Sequence, residues 1–124
     1  MIKVGIWLVV DGVLDNVISN TVQSGEIDEE HVVDRAEELR RRGWEANAAH
    51  PLRGKGPVGW APKDASFDLT LSEADLGFVR THIEESIQTT RAILGSDRLA
   101  PGPRDEQLRS LAALEETRDA LAQS

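Results

Sequence analysis

Leu76, Val79, Ile83, Ile87, Thr90 and Leu94 recur every three or four residues, and no other pattern in the chain constrains its fold as strongly. The spacing predicts a long helix with one apolar stripe. Ser72-Glu73-Ala74-Asp75 resembles a capping box at its start, with an acid three residues after the serine, and Gly95 can end it. A helix of this kind draws most of its stability from whatever covers its stripe. The rest of the chain must supply that cover. Its 124 residues, 40% hydrophobic and 29% charged, suffice for one modest domain.

The remaining segments read as a mixture of strands and helices. Val4 to Val10 is apolar and β-branched, with Trp7 in its middle, as expected of a buried strand. Asp11-Gly12 between two hydrophobic runs signals a hairpin turn, so Val13 to Val22 is expected to return as a second strand, at an edge or ending by about Ser19. Asp28 to Arg42 reads as a helix: Asp28, Glu29 and Glu30 gather at its start and Arg40, Arg41 and Arg42 at its end, which complements the helix dipole. Gly43 can close it. Trp44, Ala46 and Ala48 alternate with polar residues and suggest a third strand, and Phe67, Leu69 and Leu71 a short fourth. Pro101-Gly102-Pro103 is expected to break the chain before a last helix from about Arg104 to Ala122.

The expected order is therefore β-β-α-β-loop-β-α-α. This is an α+β fold with a small, mostly antiparallel sheet and helices packed on one face. The layout places a core domain at 1–95, with a glycine- and proline-rich loop at about 51–66, then a linker at 96–103 and a C-terminal helix at 104–124. That helix is expected to pack on its own domain or to form a dimer contact through Leu108, Leu111, Leu114 and Leu121.

Composition excludes several classes of function. With no cysteine there is no disulfide, thiolate nucleophile or cysteine metal site. Met1-Ile2-Lys3-Val4 enters a strand pattern directly, and no apolar run approaches the roughly 20 residues of a membrane helix. A cytoplasmic protein without a membrane segment is the expectation. The net charge of −8 argues against nonspecific nucleic-acid binding as the main activity, and it would suit a basic partner.

Candidate sites centre on the stretch from Arg53 to Lys63, which carries Arg53, Lys55 and Lys63 and no acid. Its cations and glycine amides suit a phosphate or an acidic partner, and Trp60 suits base stacking or an interface anchor. It is not a nucleotide P-loop, because no serine or threonine follows Lys55. Arg40, Arg41 and Arg42 form a second basic cluster that is expected to share this surface, with His50 at the mouth of the loop. His31 and His82 have acids one turn away but no recognised metal-ligand spacing, and neither a catalytic motif nor a cofactor fingerprint is present. The expected function is a small binding or regulatory protein that works through protein–protein contacts and associates with itself. The alternatives are a nucleic-acid or phosphate-binding module using the basic loop, and an acidic inhibitor or antitoxin of a basic partner.

Overall fold

Val4, Trp7, Val10, Val13 and Leu14 lie three or four residues apart. In the computed structural model they are the buried face of a single helix, α1 (Val4–Ser24). The structure describes every residue except Glu29, Asp97, Gln123 and Ser124. The two strands expected at Val4 to Val10 and Val13 to Val22 do not form, and Asp11-Gly12 lies within the helix. Continuing the helix through that pair sets Asp11 and Asp15 one turn apart, where Arg40 of α2 (Val32–Ala48) meets each carboxylate at 3.0 Å. A mid-helix glycine costs about 1 kcal/mol. Burying one large apolar side chain returns roughly 1.5–3 kcal/mol, and five are buried on this face.

Gly25 ends α1 in the left-handed region, at φ 68°, where glycine is tolerated best. The Asp28 carboxylate then accepts the backbone N–H groups of Val32 and Val33, both at 2.9 Å, and caps the next helix from outside. These two bonds, Val33's first, hold the Asp28 carboxyl below its ordinary value. Helix α2 thus begins at Val32 instead of Asp28. Glu29, one of the acids expected at its start, is outside the described residues. At its other end α2 continues past Gly43 to Ala48, so the expected third strand is helical. Gly43 serves packing: a Cβ there would lie 2.1 Å from Trp7 Nε1, so only glycine lets the indole rest on the helix backbone.

The apolar stripe from Leu76 to Leu94 is that of helix α3 (Glu73–Leu94), with Val79, Ile83, Ile87 and Thr90 buried. Ser72 Oγ accepts the Asp75 N–H at 3.1 Å, and Gly95 follows the last turn. Pro101-Gly102-Pro103 opens α4 (Pro101–Ala122) instead of breaking the chain, since a first-turn proline forfeits no helical hydrogen bond. The only strands among the described residues are β1 (Ile2–Lys3) and β2 (Ser66–Phe67), antiparallel, with Ile2 opposite Phe67. The α+β expectation is therefore overturned: the described residues are nearly all helical, 71% helix with four helices, and carry only a two-strand ladder. Apolar β-branched runs fit a buried helix as well as a buried strand, and here packing decided for the helix.

Side-chain pairs fix the helix directions. Arg40 meets Asp11 while Gly43 meets Trp7; Arg91 meets Glu115 while Arg80 reaches the Leu121 carbonyl; and Gly5 to Val9 of α1 share a hollow with Ala113 to Thr117 of α4 while Asn20 shares one with Gln107. Consecutive helices therefore alternate up and down. One end of the bundle, the loop end, holds the ladder, the long loop from 49 to 65 and most of the core. At the other, open end, burial is thin. No residue from 15 to 24 of α1 or from 101 to 113 of α4 is fully buried. Among the described residues no helix is long and apolar enough to cross a membrane.

Candidate functional site

The long loop is a firmly held lobe. Gly54 N–H donates to the Gly59 carbonyl at 3.1 Å and Gly56 N–H to the Trp60 carbonyl at 2.8 Å, which folds 53–56 back against 57–60. A Cβ at Gly56 would lie 2.3 Å from the Ala61 carbonyl oxygen, so the return is tight enough to require glycine. Asn47 of α2, 4% exposed, fastens the lobe by donating to the Gly59 carbonyl at 3.1 Å and accepting the Ala61 N–H at 2.9 Å. Farther along, the Lys63 and Ala65 carbonyls accept the Gly5 and Val4 N–H groups and so satisfy the first turn of α1.

Trp60 belongs to the core. It is 5% exposed, stacked on Trp44 at 4.2 Å and tilted against Phe67 at 5.9 Å. The half-exposed tryptophan is Trp44. His50 accepts the Leu52 N–H through Nδ1 at 3.0 Å and turns its ring edge to Phe67, an arrangement that shapes the loop mouth. Arg53, Lys55 and Lys63 are exposed and form no ion pair among the described residues. Between Gly56 and Gly59 stands Val58, 91% exposed with φ 52°. A β-branched residue in the left-handed region is strained, by roughly 1–3 kcal/mol.

The structure does not bring Arg40, Arg41 and Arg42 to this surface as free cations. Arg40 bridges Asp11 and Asp15, and the Asp11 hydrogen bond raises its pKa against the opposing effect of burial. Arg41 holds Glu38 at 2.5 Å and also Glu45, with the Glu38 bond chiefly raising its pKa. Arg42 meets Asp75 at 2.6 Å. Burial works to raise the Asp75 pKa, but the bonds from Arg42 and Ser72 and the charges of Arg42 and Arg35 outweigh it, so the carboxyl sits below its ordinary value. On α4, Leu114 and Leu121 are buried against the chain's own helices, Leu111 is half-buried, and Leu108 is 47% exposed.

A groove lies apart from the loop lobe, on the faces of three helices. Helices α1, α3 and α4 diverge around a groove of about 790 Å³ that opens to solvent. Its floor is apolar, with Leu8, Val9, Val13 and Leu114, and its rim is polar, with Asp15, Asn20, Glu85 and Ser110. No lysine or arginine lines it. His82 sits inside, 3.2 Å from Glu85 and edge-on to Phe78. Among the described residues no three histidine, aspartate or glutamate side chains converge as a metal ion would require. Polar Asp15, Asn16 and Asn20 are the sequence's trace of this rim, and they fall on one face only in a helix. The chain matches no family model, no curated protein and no solved structure.

Proposed function

We propose that this chain is a small cytoplasmic protein-binding module that associates with itself through the open end of the bundle. One observation carries the reading. Val22 and Ile27, at the α1–α2 connection, are 66% and 86% exposed, while Ile93 and Leu108, flanking the α3–α4 connection, are 38% and 47% exposed. Scattered apolar residues on a surface need no explanation, but these share one end with an apolar-floored groove where the core is thin. The half of the α4 leucine stripe that its own chain leaves uncovered, at Leu108, points to the same contact. Light scattering of the full chain over a range of concentrations tests the reading. An oligomer that Leu108→Glu dissociates, with helix content unchanged, supports it; a monomer at the highest concentration refutes it.

The unpaired Arg53, Lys55 and Lys63 favour a second reading, a phosphate or nucleic-acid ligand at the loop. Against it stands Trp60, whose ring is covered by Trp44 and Phe67 and offers no face to a base. Tryptophan fluorescence titrated with RNA and DNA at low salt separates the two readings, because phosphate binding weakens steeply as salt rises.

A further inference from the structure

Resting on the self-association proposed above, we infer that the occupant of the α1–α3–α4 groove is the Arg53–Val58 lobe of a second copy of this chain. The lobe has the features of a preformed anchor. Its base is locked by the two Asn47 bonds and by the Trp44–Trp60 stack, so presenting its tip needs little further ordering. Its tip is Val58, held in a strained conformation with its side chain almost wholly in water. Strained residues persist where the surrounding structure over-determines them, and they cluster at ligand clamps and switch regions. The Gly54–Gly59 and Gly56–Trp60 backbone bonds set Arg53 and Lys55 beside that tip.

The complement of such an anchor is an apolar hollow rimmed by carboxylates. The groove supplies the two parts in a lining that is more polar than apolar: Leu8, Val9 and Leu114 in the floor, Asp15 and Glu85 at the rim, and no lysine or arginine among its described lining residues to repel Arg53 or Lys55. Glu85 is two-thirds exposed, and its described partner is His82. Nucleic acid would use the cations and leave Val58 without a role, and it would face the repulsion of a chain with net charge −8. The groove runs along α1 from Leu8 to Asn20, whereas the lobe is fastened to the end of α2 by the two Asn47 bonds, so one copy cannot fill its own groove without breaking them. The contact is head-to-tail, giving a ring if the rotation closes and an open chain if it does not.

The test uses two full-length variants, Val58→Asp for the lobe and Glu85→Arg for the groove, studied by sedimentation and light scattering. Both positions are exposed, and circular dichroism with tryptophan fluorescence confirms that each variant keeps its helices and the Trp44–Trp60 stack. Wild type is expected to associate, more weakly as salt rises. Each variant alone should associate at least about tenfold more weakly, the scale of losing one buried valine contact. Mixed together they should recover a 1:1 complex and nothing larger, because one copy brings an intact lobe and the other an intact groove. Association untouched by either variant overturns the lobe–groove contact while self-association stands, as an end-to-end dimer of open ends would show. Folded variants that stay apart when mixed also overturn it. A monomeric wild type removes both readings.

Discussion

Asn47→Ala tests whether the loop is built into the fold or merely attached to it. The Asn47 side chain is 4% exposed and makes two bonds to the loop, one to the Gly59 carbonyl and one from the Ala61 N–H. Alanine removes both. A net hydrogen bond contributes about 1 kcal/mol, and a buried donor left without a partner costs a further 1–3 kcal/mol or so. Ala61 is fully buried, so its N–H gains no water in exchange. The loss should come to about 2–4 kcal/mol, a large share of the roughly 5–15 kcal/mol of a typical domain. It should appear as lost global stability, because Trp60, Ala61 and Phe67 form part of the single core and cannot detach without uncovering it. Urea unfolding followed by circular dichroism measures this; with a slope of about 1–3 kcal/mol per molar, the midpoint should fall by roughly 1 M or more. Hydrogen exchange at the Ala61 amide should accelerate by the same free energy. If Asn47→Ala unfolds within about 0.5 kcal/mol of wild type, the loop is an independent flap and the rigid-anchor argument fails with it.

Other expectations follow from single contacts. Gly43→Ala should destabilise by about 1–3 kcal/mol in urea unfolding despite alanine's higher helix propensity, because the new Cβ overlaps the Trp7 indole. Val58→Gly should leave the fold as stable or raise it by up to about 1 kcal/mol, since relief of the left-handed strain exceeds or balances the added chain entropy; a clear loss would contradict the strain. Asp75 has a folded pKa below its unfolded value, so its stabilising contribution is complete above about pH 3.8 and is lost as pH falls below that through the folded pKa. Asp75→Asn should therefore weaken the protein at pH 7 and flatten the decline of urea midpoints below pH 4, where Asp28 and Glu38, both also held below their ordinary values, contribute to the remaining slope.

How much of this was legible in the sequence differs from helix to helix for physical reasons. Helix α3 was legible throughout, because its cap, its stripe and its terminating glycine are local signals that agree. Helix α4 was legible apart from its first turn, where a proline triplet signals a break as readily as a start. Helix α1 was not. Its apolar run lacks a decisive period, its DG pair is a strong local hairpin signal, and what overrides that signal, Arg40, lies 29 residues from Asp11. Gly43 reads as a stop unless one knows that Trp7 rests on it. The candidate site suffered from the same distances. The cations of 40–42 look free in one dimension and are tied down by Asp11, Asp15 and Asp75 in three. The groove needs three helices to exist, and one of them, α1, carries the local signals of a hairpin.

That pairing pattern leads to a conclusion about the charge of the whole molecule. Arg35 and Arg42 share Asp75 across α2 and α3, Arg40 joins α2 to α1, and Arg91 of α3 meets Glu115 on α4. These arginines clamp the bundle and cancel acids as they do so. The lobe cations Arg53 and Lys55 form no ion pair among the described residues, while the groove is lined by Asp15 and Glu85 and by no described lysine or arginine. A head-to-tail contact that seats the lobe in the groove therefore sets opposite charges together. Raising the salt should therefore weaken association of the head-to-tail kind and strengthen, or leave unchanged, one made only by the exposed Val22, Ile27 and Leu108. The sign of that salt dependence is enough to separate the two contacts before any residue is changed.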